Sequence, residues 1–229
     1  MSSHWIDQKT TNVRGWRCQF WQSSDLRQQL IPEQGFLDQA MRTPAKNFKH
    51  DKTTSVVMLE LDAHKIVLKR YNPRSWGHKI KRALRRSRAR QCWSMSYAFA
   101  NAGLNVSKPI LMFEARFGPI RSNAYFANNY LQGEELLSSL PTMPIDQQQK
   151  VVDAIHKAFA LMQQHKLSHG DMKASNLLWS EEKLYFIDLD AATKHRTIWS
   201  WRLAHRKDKK RFLKNWLDQP ELLALFSKL

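Results

Sequence analysis

The segment between residues 169 and 192 restricts the possible folds of this chain most strongly. It reads HGDMKASNLLW at residues 169–179 and FIDLDAA at residues 186–192, so three Asp and one Asn lie in or beside apolar runs that favour strands. Gly, Asp, Asn and Ser are common in turns for backbone reasons alone, so a loop between two short strands is the simplest interpretation. The rest of the chain decides whether these polar residues also carry chemistry.

Composition places the chain among globular proteins with an anionic partner. Its 229 residues are 42% hydrophobic and include nine Trp, which is enough to form a sizeable core. The formal net charge of +17 predicts attraction to nucleic acid, an acidic membrane surface or a phosphorylated ligand. Two Cys supply neither a disulfide framework nor a zinc quartet, which favours a reducing cytoplasm. The N-terminus lacks the apolar stretch of a signal peptide, and the apolar runs are too short for a membrane span.

The hydrophobic pattern predicts an α+β architecture. Residues 1–46 are predicted to be an irregular N-terminal extension, because Pro32, Gly35 and Pro44 interrupt any long helix. The run SVVMLELDAHKIVLKRY, from residue 55, alternates apolar and polar residues as two antiparallel strands do. Two more strands are predicted in PILMFEARFG and SNAYFANNYL, so that a small sheet occupies residues 47–132 and a mainly helical part occupies residues 133–229.

Three helical regions complete this architecture. The spacing of Ala89, Cys92, Trp93, Ser96 and Ala100 predicts a helix that ends near Gly103. Apolar residues at helical spacing predict a second helix over residues 145–165, and these residues are Val151, Val152, Ile155, Phe159 and Met162. The last 40 or so residues are predicted to be helical and basic, with five apolar anchors: Trp199, Trp201, Phe212, Trp216 and Leu217.

The polar residues of the opening segment match the needs of phosphoryl transfer from ATP. That reaction needs a cation at the nucleotide phosphates, oxygen ligands for Mg²⁺, and a carboxylate that orients and deprotonates the attacking hydroxyl. Asp171 and Asn176 have the spacing of a kinase catalytic loop, and Asp188 follows an apolar strand where a metal-binding Asp belongs. Upstream, Lys69 lies in a predicted strand, as does the kinase lysine that holds the α and β phosphates.

At this point the chain resembles the protein-kinase-like superfamily, and more narrowly the lipopolysaccharide core kinases, the Kdo and heptose kinases of Gram-negative bacteria. The resemblance extends from about residue 48 to residue 216. It is carried, in the family's order, by DKTTSVVMLELDAHKIVLKRYN, YLQGEEL, HGDMKASNLLW, YFIDLDAA and KKRFLKNW. It implies a two-lobed protein-kinase-like fold with a short helical C-terminal lobe. It also implies ATP-dependent phosphorylation of a sugar hydroxyl of the lipopolysaccharide inner core, at the cytoplasmic face of the inner membrane.

The resemblance assigns roles to individual residues. Asp171 matches the base, Asn176 and Asp188 match the Mg²⁺ ligands, and Lys69 matches the lysine that holds the ATP phosphates. Lys173 is placed to stabilise charge on the transferred phosphoryl group.

The resemblance also gives expected roles to the predicted hinge, to His169 and to Asp190. NYLQGEEL resembles the hinge between kinase lobes, so backbone groups of Tyr130, Leu131 and Gln132 are expected to face the adenine. His169 is expected to support the catalytic loop rather than to act in chemistry. Asp190 is expected to be an additional acidic group near the metals.

Two departures from the kinase pattern leave an inactive kinase as an alternative. Residues 46–55, where a glycine-rich phosphate loop belongs, contain no glycine. In addition, no Asp or Glu occurs from residue 63 to residue 113, so no helix acid is present to pair with Lys69, and either Asp188 or Glu114 would have to replace it. The residues that could cover the phosphates instead are basic or hydroxyl-bearing: Lys49, His50, Lys52, Thr53 and Thr54.

The basic segments favour an anionic acceptor. Like charges repel at helical spacing, so a helix face that is only solvated does not need such an excess of positive charge. The arginines of residues 82–90 form this excess: Arg82, Arg85, Arg86, Arg88 and Arg90. Arginine binds phosphate and carboxylate, which are abundant in lipopolysaccharide core, and anionic lipids would hold such a surface at the membrane. A second basic block, RLAHRKDKKRFLK, adds to this charge, and the WSW at residues 199–201 is predicted to lie either at an interface or in the core.

The sequence leaves two rival functions open. No zinc-finger, RRM or other nucleic-acid motif is visible, so nucleic acid is not the expected partner. A small RNA-modification kinase of the same superfold nevertheless remains the nearest enzymatic rival. A pseudokinase scaffold that binds anionic glycolipid is the non-enzymatic rival.

Overall fold

The computed structural model describes residues 10–15, 17–23, 30–51, 53–62, 64–72, 86–118, 120–227 and 229. The chain divides into two compact units. The N-terminal unit consists of His4–Ser94 and Lys108–Tyr130, and the C-terminal unit consists chiefly of Met95–Ser107 and Leu131–Leu229. The predicted divisions at residues 47 and 133 stay a prediction.

Seven strands of the described residues form one antiparallel sheet in the N-terminal unit, in the order β1-β2-β7-β8-β5-β4-β3. They are β1 (Thr10–Arg14), β2 (Cys18–Ser23), β3 (Lys46–His50), β4 (Thr54–Leu61), β5 (His64–Tyr71), β7 (Pro109–Phe117) and β8 (Ile120–Asn129). The predicted hairpin of β4 and β5 is confirmed, with Leu59 opposite Ile66 and Val57 opposite Leu68. The strands predicted at β7 and β8 are confirmed as well.

One face of this sheet is covered by helix α1 (Gln34–Arg42), which buries Leu37 against Val57 and Leu68. Asp38 of α1 accepts a hydrogen bond from Tyr125 Oη at 2.7 Å and one from Arg70 Nη1 at 3.0 Å. The irregular structure predicted for residues 1–46 is therefore wrong for the described part, which contains β1, β2 and α1. The helix begins after Pro32 and takes Gly35 into its first turn, so neither residue interrupts it.

The opposite face of the sheet contacts helix α2 (Arg88–Asn101). The Arg88 guanidinium lies 4.7 Å from the Tyr71 ring centroid and donates to Thr54 Oγ1 at 2.9 Å, while the rings of Trp93 and Trp21 are 6.1 Å apart. The predicted helix is thus confirmed. The five residues whose spacing predicts this helix are all buried: Ala89, Cys92, Trp93, Ser96 and Ala100. The chain leaves it at Gly103, whose φ of 82° suits a glycine. Arg82 and Arg85 lie outside the described residues.

The C-terminal unit combines helices with short strands. A four-stranded sheet has the order β6-β12-β11-β9, and β10 pairs with β13. The strands are β6 (Asn105–Val106), β9 (Glu134–Glu135), β10 (Leu167–Ser168), β11 (Leu177–Ser180), β12 (Lys183–Phe186) and β13 (Thr193–Lys194). The helices are α3 (Leu136–Ser139), α4 (Ile145–Gln164), α5 (Ile198–Leu213) and α6 (Pro220–Leu225). Helix α4 confirms the prediction for residues 145–165, since all five of its predicted apolar residues are buried.

The C-terminal helices bear out part of the prediction for the last 40 residues. Trp201, Phe212 and Trp216 are buried, but Trp199 is 75% exposed and Leu217 is 60% exposed, so these two are not core anchors. The buried residues of α5 follow its 3.6-residue period, and Trp199 lies two positions before Trp201, away from that face. Within the described residues, no helix has both the length and the apolarity needed to cross a bilayer.

Candidate active site

The loop between β10 and β11 is closed on itself by the side chain of Asn176. Its Nδ2 donates to the backbone oxygen of Asp171 at 2.8 Å and to the Asp171 carboxylate at 3.2 Å. Two backbone bonds tighten the same loop, from Lys173 N to Asp171 O at 2.8 Å and from Asn176 N to Lys173 O at 2.9 Å. The five-residue spacing therefore has a local cause. Since the amide nitrogen of Asn176 is used in this way, its Oδ1 is left as an acceptor.

Asp188 lies beside this loop because β11 and β12 are paired. Leu177 faces Phe186 in the register, and Ile187 N donates to Asn176 O at 3.0 Å. The next residue, Asp188, has a left-handed backbone with φ 58° and ψ 55°. Residues other than glycine seldom adopt this backbone conformation, although Asp tolerates it. Residues that do adopt it cluster at functional sites. The pairing thus places the two predicted metal ligands in neighbouring segments.

A buried carboxylate from α5 holds the start of the loop. Asp208 is 1% exposed, and its oxygens accept hydrogen bonds from His169 N at 2.7 Å and Gly170 N at 2.9 Å. Burial raises the pKa of Asp208 to about 6, although the two N–H donors and Arg211 act in the opposite direction. His169 is wholly buried and its Nε2 lies 3.0 Å from Ile187 O, so its contacts support the loop.

Gly170 is required at the turn before Asp171. Its φ is 78°, and a Cβ added there would lie 2.4 Å from the backbone oxygen of Ala191. No side chain can occupy that space without movement of backbone, which packed surroundings resist.

Two cations contact the Asp171 carboxylate. Lys173 Nζ lies 3.4 Å from Oδ2, and Arg211 Nη1 donates to Oδ1 and also to Gly170 O at 3.1 Å. The Asp171 side chain is 29% exposed, so it is accessible to a ligand. The sequence does not identify Asp208 and Arg211 individually, because their segment is interpreted as a basic block and, from residue 209, as part of the family resemblance. The available signal was that Asp208 is the one acid between Asp190 and Asp218.

Lys69 belongs to the N-terminal unit, and its predicted role toward the nucleotide stays a prediction. It lies in β5 opposite Val56 of β4 and Phe126 of β8. The contacts of Glu114 among the described residues are with three side chains: Ser87, Arg116 and Arg121. The pairing of Lys69 with Asp188 or with Glu114 stays a prediction.

The turn that replaces a glycine-rich loop is held by its own side chain. Asp51 Oδ1 accepts from the backbone N–H groups of Thr53 and Thr54, each at 2.7 Å. Lys49 Nζ lies 3.1 Å from the same carboxylate, and together these donors hold the pKa of Asp51 well below its usual range. His50 contacts Ser55, and Lys52 lies outside the described residues. The described residues expected to cover phosphate are therefore largely engaged in the turn.

The predicted hinge contains an aromatic contact on the side of the N-terminal unit. Tyr130 stacks on Phe48 with ring centroids 6.2 Å apart and planes 13° apart, and Tyr130 N donates to Lys65 O at 2.8 Å. Phe48 is 43% exposed and lies at a β-bulge of β3. In the C-terminal unit, the backbone oxygen of Gln132 accepts from Ser180 Oγ at 2.5 Å. The adenine contacts expected of Tyr130, Leu131 and Gln132 stay a prediction.

These features define a protein-kinase-like fold, with a closed Asp–Asn loop and a neighbouring Asp after a strand. A model of the lipopolysaccharide kinase (Kdo/WaaP) family matches residues 38–221. The match covers well over half of the sequence, so the chain belongs to this family. The resemblance predicted from the motifs and the predicted fold class are both confirmed.

Similarity to individual proteins is weaker. A solved structure, WaaP in complex with acyl carrier protein, matches with a TM-score of 0.57 and 18% identity, covering 84% of this chain and 90% of that one. The kinase PK-1 of the Cydia pomonella granulovirus matches with a TM-score of 0.48 and 14% identity, covering 71% of this chain and 57% of that one. The KEOPS complex subunit Bud32 of Pyrococcus abyssi (strain GE5 / Orsay) is 30% identical over 76 residues. That alignment spans 33% of this chain and about a third (34%) of Bud32.

Proposed function

We propose that the protein is a kinase that transfers a phosphoryl group from ATP to a sugar hydroxyl of the lipopolysaccharide inner core, Kdo or heptose. The observation that carries this proposal is the loop in which Asn176 closes on Asp171, with Asp188 beside it and Asp208 beneath it. Family membership supports the reaction class. Loops that position a carboxylate and two oxygen ligands are what phosphoryl transfer needs, because its catalysis is mostly positioning and charge stabilisation.

In this proposal Asp171 orients the acceptor hydroxyl and takes its proton. The contact with Arg211 fixes the carboxylate in one orientation, and Lys173 Nζ, 3.4 Å away, supplies positive charge where the phosphoryl group is transferred. Lys69 would hold the nucleotide phosphates. Backbone groups of Tyr130, Leu131 and Gln132 would face the adenine.

Asn176 and Asp188 are the residues that would hold Mg²⁺. Asn176 retains its Oδ1, and Asp188 contributes a carboxylate from the adjoining segment. In the described residues no cluster of three or more His, Cys, Asp or Glu side chains suits a metal. A site with two protein oxygens fits Mg²⁺, which keeps several waters and binds substrate phosphates. When bound, the metal neutralises charge on those phosphates.

The charge of the chain supports an anionic acceptor at a membrane surface. A formal net charge of +17 would draw the protein to lipopolysaccharide core and to anionic lipids of the cytoplasmic leaflet. We therefore place the proposed reaction in the cytoplasm of a Gram-negative bacterium, on the inner face of the inner membrane. Lipopolysaccharide core, or a similar anionic glycan, is the proposed partner.

A transfer assay tests the proposed reaction. Purified protein, labelled ATP and Mg²⁺ are incubated with purified inner-core oligosaccharide, and labelled product is measured. We expect Asp171→Asn to lower turnover by about 10²-fold or more, because the proton acceptor is lost. Asp153→Asn, the same chemical change on the exposed surface of α4, is the control. Equal turnover in Asp171→Asn and wild type would contradict the assignment of the base.

The pseudokinase alternative is favoured by the turn at Asp51. In kinases with a glycine-rich loop that loop covers the phosphates, whereas here the amides of Thr53 and Thr54 already donate to Asp51. Nucleotide binding distinguishes the two functions. An enzyme should be protected from heat by ATP with Mg²⁺, and Asp188→Ala should remove that protection. A glycolipid scaffold should show no such protection. The net charge of +17 makes structured RNA a second ligand to test, and tight RNA binding without affinity for lipopolysaccharide would favour an RNA-associated kinase.

A further inference from the structure

The N-terminal unit contains an arginine cluster around one buried acid. Glu114 is 1% exposed and accepts from Arg116 Nη2 at 2.5 Å and Nε at 3.2 Å, while Arg121 Nη1 lies 3.7 Å away. The side chains of Arg116 and Arg121 are only 12% and 11% exposed. Two guanidinium groups thus share one carboxylate in a nearly enclosed position.

Three more arginines extend this cluster toward solvent. Arg90 of α2 is half-buried, and its pKa is lowered by burial and by the positive charges of three neighbours, while Glu114 opposes the shift. Those neighbours are Arg86, Arg116 and Arg14. Arg86 and Arg14 are exposed. The sheet register explains the position of Arg14, because it pairs with Gln19, which in turn pairs with Glu114, so that all three lie in one row.

The beginning of α2 points at the same place. Ser87 caps this helix, accepting from Arg90 N at 3.0 Å through its hydroxyl, and the same hydroxyl donates to Glu114. The positive end of the helix dipole therefore adds to the arginine charge. The Arg90 guanidinium lies 4.9 Å from the Trp21 ring, which holds it over an aromatic surface.

The charges of this cluster do not balance. Among the described residues, Arg116 and Arg121 contact the Glu114 carboxylate and three more arginines lie near them, and the sequence from residue 63 to residue 113 contains no Asp or Glu. Arg116 and Arg121 are nearly enclosed beside a single carboxylate, and positive charges held this close repel one another unless an anion lies among them. Guanidinium groups bind phosphate oxygens bidentately, and an anion of charge near −2 would offset about half of the excess.

We propose that this arginine cluster binds a phosphate group, using no residue of the candidate active site. The exposed Arg86 and Arg14 admit the ligand, the half-buried Arg90 binds it, and the start of α2 completes the site. The chemistry is that of a phosphate monoester or diester, whether carried by a phosphorylated sugar, a lipid headgroup or free phosphate. The inference does not depend on the proposed kinase function.

Phosphate titration tests this site. Inorganic phosphate is added to the whole protein at low ionic strength, with EDTA present, and binding is followed by calorimetry and by the melting temperature. The experiment is done in the Asp188→Ala variant, so that loss of nucleotide function and loss of this site stay distinguishable. We expect saturable binding that weakens about tenfold in Arg90→Gln, because one charged hydrogen-bonding group is removed. Arg202→Gln, an arginine stacked on the exposed Trp199, should bind phosphate unchanged.

Further variants protect the test against misfolding. Arg116→Gln removes the partner of a buried acid and can fail to fold, whereas Arg86→Gln changes an exposed side chain and should weaken binding with the fold intact. Unchanged affinity in both Arg90→Gln and Arg86→Gln, or an equal loss in Arg202→Gln, would overturn the proposal. Vesicles of phosphatidylglycerol and a soluble sugar phosphate, each competed against inorganic phosphate, distinguish a lipid source from a soluble one.

Discussion

Replacement of Asp208 by Asn should change the pH dependence of stability in a calculable way. The wild-type carboxylate is 1% exposed, and burial raises its pKa to about 6 from an ordinary value near 3.8. The folded state therefore keeps a proton that the unfolded state releases between these two values. As pH rises through this window, the unfolded chain releases this proton and the free energy of unfolding falls. The stabilisation that the bound proton gives the folded state is therefore fully present at low pH and is lost completely above about pH 6.

The size of the effect follows from the gap between the two pKa values. A shift of about two units corresponds to about 3 kcal/mol, and roughly 2 kcal/mol of it falls between pH 4.5 and pH 7.5. Asn has the shape of the protonated acid and does not titrate. The free energy of unfolding of Asp208→Asn should therefore rise by about 2 kcal/mol relative to wild type over that pH range.

Urea denaturation at pH 4.5, 6 and 7.5 measures this difference, with Asp153→Asn as the exposed control. Turnover should change in the opposite sense. The neutral amide accepts from only one of the two N–H groups of His169 and Gly170, so the loop before Asp171 loses support and activity should fall. Parallel stability curves for wild type and Asp208→Asn would refute the reasoning, because Asp208 would then ionise as an exposed acid does.

Three further substitutions test the site. Gly170→Ala should lower the free energy of unfolding by about 2–4 kcal/mol in urea denaturation, since its Cβ meets backbone at 2.4 Å, whereas Gly35→Ala, with open space in α1, should not destabilise. Arg211→Ala should lower kcat with little change in KM for ATP in a steady-state kinase assay, because the base loses its orienting partner, and Arg202→Ala should match wild type. Phe48→Ala should raise KM for ATP about fivefold with a smaller effect on kcat, if its stacked ring borders the adenine; an unchanged KM would exclude that role.

Local patterns made several elements of both units predictable. Helix α4 follows from apolar residues at a 3.6-residue period, and the β4–β5 hairpin follows from alternation over two neighbouring runs. The loop of Asp171 and Asn176 has a fixed spacing because its hydrogen bonds join residues only five positions apart. Signals of this kind depend on short stretches of chain, which is why the sequence reveals them.

Long-range contacts account for what the sequence did not reveal. Strand β2 pairs with β7, so that Cys18 lies opposite Ala115 almost a hundred residues later, and no local pattern indicates that partner. The short strands β1 and β2 depend on this pairing, so residues 1–46 were interpreted as irregular. Asp208 was hidden for the same reason, since its partner Gly170 lies 38 residues earlier.

The dependence of the Asp171 loop on α5 has a consequence for synthesis of the protein. Residues 169–171 leave the ribosome well before Asp208 and Arg211, the two side chains that bind their backbone from α5. A nascent or truncated chain that ends before residue 208 lacks the buried carboxylate that accepts hydrogen bonds from the N–H groups of His169 and Gly170. Such a chain should therefore lack a formed loop at Asp171.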